Sequence, residues 1–244
     1  MLISGATDRG MVRSQNQDYF QFSQLAEDRH LAVVCDGMGG GKSGDVAARL
    51  ASEVFIQDVE HSSKPGMSQT EIVSMLVRAV KSANRAVYEQ SQVSPDFAGM
   101  GTTLVAAYVQ RSDAYIVNVG DSRCYYISQD EVSQLTEDHS VVALMVARGQ
   151  ITEEEARTHP NRNLITRALS RDTDAQCDGY ICTMDAGDFL LLCTDGLVDT
   201  VSDQEILFEV VHGAGPDDCL DRLLEISKQH GAPDNVTAVL VQNL

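Results

Sequence analysis

The chain has 244 residues, 43% of them hydrophobic and 22% charged, and its 36 Asp and Glu against 18 Lys and Arg leave a net charge of −18 at pH 7. That length allows a large globular core, while so acidic a balance excludes general nucleic-acid binding, which needs clustered cations along the phosphate backbone. No apolar run approaches the roughly 18 residues of a membrane span, and the opening MLISGATDRGMVRSQNQD lacks a basic-then-apolar signal layout, so a cytoplasmic protein without membrane insertion is expected.

Taken in chain order, a short strand is predicted at 2–6 and a stronger one at 31–35, LAVVC. Two helical periods follow, the first marked by Val46, Leu50 and Val54, the second by Ile72, Leu76, Ala79, Val80, Ala83 and Val87. Strands are then predicted at 104–109, 115–119, 124–128 and 132–135. The run 115–119 alternates as a half-buried strand would. Segment 140–171, with helical pieces broken by Gly149 and Pro160, reads as an insertion over one end of the fold. Strands at 180–183 and 189–193 come next; the unbroken FLLLC of 189–193 suits burial on both faces. Two helices, 205–211 after the cap candidate Ser202 and 218–228 after Pro216, precede a last strand at 236–241. Short turns at 111–113 and 185–188 suggest hairpins. The order implies an α+β fold with helices on the outer faces of antiparallel sheets. The cysteines at 35, 124, 177, 182, 193 and 219 form no C-x-x-C pair, so buried reduced thiols are expected rather than a zinc site.

The stretch VVCDGMGGGKS, residues 33–43, invites a phosphate-loop reading. That motif, G-x-x-x-x-G-K-[ST], needs its opening glycine at position 36. Position 36 is Asp, and starting from Gly37 leaves the loop one residue short. The aspartate is the more informative residue. Asp36 ends LAVVC, Asp121 follows YIVNV, Asp195 follows FLLLC, and Asp234 stands just before VTAVLV. Turn chemistry accounts for any one of these. Four on the most apolar strands point instead to carboxylates converging at a rim, where their repulsion calls for a cation. Oxygen ligands without His or Cys suit magnesium or manganese, and a shared carboxylate suits a two-metal hydrolase.

The motifs Arg13-Ser14-Gln15-Asn16-Gln17-Asp18, Asp36-Gly37-Met38-Gly39-Gly40, Met100-Gly101-Thr102-Thr103, Gly120-Asp121-Ser122-Arg123, Thr136-Glu137-Asp138-His139-Ser140, Asp195-Gly196 and Asp234-Asn235-Val236-Thr237 occur in one order along nearly the whole chain. In that order the sequence resembles the PPM family, the type 2C metal-dependent serine/threonine protein phosphatases, and especially its compact bacterial members. The resemblance implies a single catalytic domain over 1–244: a four-layer α/β/β/α sandwich of two antiparallel sheets flanked by helices, with 140–171 as its flap. It implies two or three manganese or magnesium ions. Asp36 would bridge two of them, with the Gly37 carbonyl on one. Asp195 and Asp234 would complete the first, and Asp121 with Asp195 would hold a third, weaker ion. Asp18 would act through a metal-bound water, and Arg13 would clamp the substrate phosphate. Phosphoserine and phosphothreonine in proteins would be hydrolysed by a metal-bridging water or hydroxide.

Some positions depart from the better-known eukaryotic pattern. Met38 stands where those members carry a His thought to protonate the leaving group, so a metal-bound water is expected in that role. Gln17 replaces a Glu. His139 and the His159-Pro160 pair read as structural, Lys42 as solvent-facing, Ser43 as a helix cap, and Gly39 to Gly41 as the tight turn beside the ions. The acidic run Glu153-Glu154-Glu155 suggests a preference for basic residues around the phosphosite. Resemblance to bacterial members suggests a serine/threonine kinase as the opposing partner, and a monomer is expected. The competing readings are a silent phosphoprotein-binding module, disfavoured because every ligand position is filled, and a sporulation or anti-sigma-partner phosphatase, disfavoured by the lack of a sensor domain.

Overall fold

The computed structural model describes residues 1–39 and 43–244. The first half contains β1 (Leu2–Asp8), β2 (Asp18–Ala26), β3 (Arg29–Met38), α1 (Ser43–Ser62), α2 (Gln69–Ser91), β4 (Gly101–Thr102), β5 (Leu104–Gln110) and β6 (Asp113–Val119). The second contains β7 (Arg123–Ile127), β8 (Val132–Gln134), α3 (Val141–Ala147), α4 (Glu153–Arg157), β9 (Asp178–Thr183), β10 (Phe189–Cys193), α5 (Asp195–Val198), α6 (Asp203–His212), α7 (Pro216–Gln229) and β11 (Val236–Gln242).

Two antiparallel sheets result, ordered β1-β11-β10-β7-β8 and β2-β3-β5-β6-β9, with β4 paired to β3. Strand periodicity sorts the apolar side chains into layers. Ala32, Val34, Val105, Ala107 and Ile116 of one sheet meet Cys124, Leu190, Leu192, Val239 and Val241 of the other between the sheets. Leu31, Val33, Cys35, Leu104, Ala106 and Tyr108 point outward onto α1 and α2. Tyr125, Ile127, Leu191, Cys193, Ala238 and Leu240 point outward onto α6 and α7. This is the expected α/β/β/α sandwich. Ser202 and Glu205 form a reciprocal capping box at α6, as Ser68 and Glu71 do at α2.

Three local readings differ. Strand β2, DYFQFSQLA, escaped the sequence pattern; as the edge strand of its sheet it needs one partner only and tolerates the polar residues Gln21, Ser23 and Gln24. Strand β6 is not half-buried: Ala114 to Val119 are all buried, because Ile116 faces the second sheet while Tyr115, Val117 and Val119 face the helices. Asn118 fits there by donating to the carbonyls of Gly120 and Glu137, 3.3 Å each. The turn at 185–188 is not a hairpin. It carries the chain from β9, paired with β6, to β10, paired with β7 and β11. A strand apolar on both faces does not reveal which sheet it joins.

Segment 140–171 contributes no buried residue from α3 or α4. It is held at its base: Val141 N–H donates to the Leu164 carbonyl at 2.8 Å, Thr166 N–H to that of His139 at 2.7 Å, and Leu169 N–H to that of Thr102 at 2.9 Å. No helix among the described residues is long and apolar enough to cross a membrane.

Candidate metal centre

Antiparallel pairing brings the ends of five strands to one rim. Asp18, at the start of β2, is the direct partner of Asp36 near the end of β3. Asp121 follows β6, Asp195 follows β10, and Asp234 precedes β11, the antiparallel neighbour of β10. Main-chain anchors fix Asp36: its N–H donates to Thr103 Oγ1 at 2.9 Å, and its carbonyl accepts from Thr103 N–H at 2.9 Å and Thr102 Oγ1 at 2.8 Å. The Thr103 hydroxyl also meets Ser122 Oγ at 2.6 Å, which ties the Asp121 turn to Asp36. At Gly37 a Cβ would stand 2.1 Å from the Gly44 carbonyl oxygen and 2.5 Å from that of Gln17. Only glycine lets these three backbones meet.

Asp18 is 8% exposed. One of its oxygens accepts from Thr194 Oγ1 at 2.9 Å, and that hydroxyl in turn accepts Thr237 N–H at 3.1 Å. Thr237 Oγ1 meets Thr7 Oγ1 at 2.6 Å, and Asn16 Nδ2 donates to Thr7 Oγ1 at 2.8 Å. Asn235 accepts Gln17 N–H at 2.8 Å and donates to the Arg9 and Gln15 carbonyls at 2.8 and 2.9 Å, so the loop that carries Arg13 is bound to the start of β11. Arg13 Nη2 donates to Asp234 Oδ2 at 2.6 Å, with the Arg13 side chain 53% exposed.

The electrostatics are those of acids held together against their repulsion. Burial pushes the Asp18 carboxyl up to about 7, against the lowering effect of Thr237 and Thr194, with Asp195 and Asp234 adding to the rise. Burial and then the charges of Asp195 and Asp138 push Asp121 up to about 8. Burial, Asp199 and Asp234 push Asp195 up to about 6. Asp36 is raised well above the carboxylate range by burial and then by Asp18, Asp195, Asp121 and Asp234 in turn. Asp195 Oδ1 is buried with no hydrogen-bond partner, a costly arrangement for a carboxylate. A divalent cation would satisfy it, and an all-oxygen donor set of this kind fits magnesium or manganese. Among the described residues no three acidic, His or Cys side chains are drawn in as a closed ion cage, in keeping with like charges that stand apart and with Arg13 engaging Asp234.

The structure thus brings together all the residues named from the sequence: Arg13, Asp18, Asp36, Gly37, Asp121, Asp195 and Asp234. Ser43 begins α1 and is buried; Gly40, Gly41 and Lys42 of the expected glycine turn and solvent-facing lysine lie outside the described residues. The sequence reading passed over Asp199, four residues after Asp195 and the first charge acting on it. The D-G-L-V-D spacing across one helical turn was the available signal. It also passed over the hydroxyl chain of Thr7, Thr194 and Thr237, which lie on β1, just after β10 and on β11 and meet only when those neighbouring strands of one sheet pair.

Residues 10–241 match the model of the protein phosphatase 2C family. The chain is 34% identical over 236 residues to the serine/threonine phosphatase stp of Listeria innocua serovar 6a, covering 97% of this chain and 93% of that one. Its fold superposes on the crystal structure of the serine/threonine phosphatase Stp1 from Staphylococcus aureus with a TM-score of 0.92, at 36% identity and over 99% of this chain and 94% of that one. It also superposes on the catalytic domain of the phosphatase PstP, solved in complex with two manganese ions, with a TM-score of 0.82, 34% identity, and 98% and 96% coverage. The chain belongs to the protein phosphatase 2C family.

Proposed function

We propose that the rim carboxylates form the metal centre of a serine/threonine protein phosphatase, with Asp36 shared between two ions. The chain is such an enzyme by family, with manganese or magnesium as cofactor. The Gly37 carbonyl, Asp195 and Asp234 would complete the two-ion site, Asp121 with Asp195 would hold a third, weaker ion, and Asp18 would act through the surrounding water. The observation that carries this reading is the convergence of four strand-end aspartates on Asp36, with an orphaned buried oxygen on Asp195. When bound, divalent ions at such a site make an attacking water more acidic and offset charge on the phosphoryl oxygens.

The protein's own residues supply the rest. Thr103 holds Asp36 by its main chain, and Thr194 orients Asp18. Arg13 projects at the open rim and offers a planar fork for two phosphate oxygens. Met38 pairs in β3 against Gly101 and has no proton to give, so water is the remaining donor to the leaving alkoxide. We read residues 1–244 as one catalytic domain with 140–171 as its flap, cytoplasmic and monomeric, acting against a serine/threonine kinase on shared phosphoproteins or on the kinase itself. The test of function is hydrolysis of a phosphothreonine peptide by metal-stripped protein with and without manganese. Turnover only with manganese is expected; none under any metal, in folded protein, would shift the reading to a silent phosphoprotein-binding module.

Arg13→Ala is expected to lower kcat/KM by about 10- to 100-fold, the value of a charge-assisted hydrogen bond to phosphate, with Arg13→Lys failing to restore it. Because Arg13 also occupies Asp234, manganese affinity should not fall. A weaker manganese isotherm in Arg13→Ala would show that Arg13 builds the metal site rather than clamping phosphate. For the acidic run, Glu155 closes the capping box with Thr152, which leaves Glu153 and Glu154 free to meet substrate. The double variant Glu153→Lys with Glu154→Lys is expected to reduce the preference for basic over acidic phosphopeptides, and an unchanged ranking would end that idea.

A further inference from the structure

The turn that carries Asp121 is gripped by a histidine to which the phosphatase reading gives no part. His139 is 6% exposed. Its ring Nδ1 accepts Gly120 N–H at 3.0 Å, and the main-chain N–H of His139 donates to the Gly120 carbonyl at 3.0 Å. Gly120 has φ +112, and a Cβ there would meet Thr103 Cγ2 at 2.5 Å, so the turn has no slack on the opposite side. An accepting Nδ1 places the ring proton on Nε2, which faces Asp178 Oδ2 at 3.1 Å. Arg167 Nη1 donates to the other oxygen of Asp178 at 2.7 Å and lies 3.1 Å from Nε2. Burial lowers the ring's pKa, which favours the neutral form that this pattern needs. The His139 carbonyl accepts Thr166 N–H. His139 therefore stands where segment 140–171 departs, and where it returns His139 is bound to Thr166 through its carbonyl and linked to Arg167 through Asp178.

We propose that His139 is a positioning residue that places Asp121 through Nδ1 and Gly120, and couples that placement to the seating of segment 140–171 through Nε2, Asp178 and Arg167. This rests on the reading of Asp121 as a ligand of the weaker ion. Partners one step behind the ligands hold metal-site geometry in this way, and their loss typically weakens binding about 10- to 100-fold.

The two ring nitrogens can be tested separately. In His139→Asn the amide oxygen can stand where Nδ1 stood, keeping the acceptor for Gly120 and losing the link to Asp178. In His139→Gln the amide nitrogen can reach toward Asp178, and the acceptor for Gly120 is lost. Manganese titration of the metal-free proteins, followed by the electron paramagnetic resonance of free manganese, separates tight from weak binding; NMR amide exchange reads Gly120 and segment 141–165. His139→Gln is expected to weaken the weak site by about tenfold, leave tight binding unchanged and speed exchange at Gly120. His139→Asn is expected to keep the weak site while exchange across 141–165 rises. Arg167→Gln, on the half-exposed side, is expected to speed exchange both in the segment and at Gly120. Asp121→Asn, as reference, should remove the weak site.

An intact weak site in His139→Gln beside its loss in Asp121→Asn would leave His139 a stabilising residue only and overturn the proposal. So would equal losses in the Asn and Gln variants, or an Arg167→Gln effect confined to the segment. A weak site that survives Asp121→Asn would overturn both the proposal and the reading of Asp121 beneath it.

Discussion

Asp36→Asn is expected to lower turnover of a phosphothreonine peptide by about a thousandfold or more at saturating manganese, while raising the melting temperature of the metal-free protein. The two halves have one cause. Asp36 lies among Asp18, Asp195, Asp121 and Asp234, each of which raises its pKa, so its charge is unfavourable until a cation enters. Asparagine keeps the size and an acceptor oxygen but removes the charge. The main-chain bonds to Thr102 and Thr103 do not involve the side chain and hold the strand end in place. On the proposed reading a carboxylate shared by two ions would be lost, and with it several kcal/mol of charge stabilisation in the transition state, at about 1.4 kcal/mol per factor of ten in rate. A variant that stayed within tenfold of the parent enzyme, or that melted lower without metal, would show that Asp36 is not the centre of the cluster.

The metal-free protein is expected to become more stable as pH falls from about 8.5 to about 6.5. Asp121, Asp18 and Asp195 have folded pKa values pushed up to about 8, about 7 and about 6, against an unfolded value near 4. In this window the folded chain binds protons that the unfolded chain does not, so stability increases as pH decreases, and it is lost again as pH rises through the folded values. One extra proton over one to two pH units amounts to about 2 kcal/mol, or roughly 5 °C in melting temperature for a chain of this size. The buried His30 and His139, whose pKa values are lowered, act in the opposite sense once pH drops below the ordinary histidine value, which sets the lower bound of the window. Saturating manganese should remove the slope, since bound carboxylates stay ionised, and should stabilise the protein most at the alkaline end. Thermal melts at three pH values, with and without manganese, check this. A metal-free melting temperature that is flat or rises with pH would mean that the rim acids are not held against their repulsion.

The comparison of sequence with structure divides along physical lines. Strands β3, β10 and β11 and helices α2, α6 and α7 announced themselves because each buries a regular set of apolar side chains, and the period of burial is written in the order of residues. The rim aspartates were legible because each adjoins a buried strand, and strand ends must meet at a rim. Strand β2 was not, since an edge strand needs little apolar surface. Nor was the partner of β9: pairing is decided by main-chain hydrogen bonds, which every residue offers alike.

By itself, then, the sequence determined the layer architecture, the acidic rim and the family, through local patterns and through seven motifs in order. Only the tertiary structure decided which groups touch: Arg13 on Asp234, Thr194 on Asp18, Thr103 between Asp36 and Ser122, and His139 between Gly120 and Asp178. Those contacts join residues between 19 and 221 positions apart. No local pattern encodes them, because each exists only after strands distant in sequence have paired within a sheet or packed between the sheets and carried their ends to the same place.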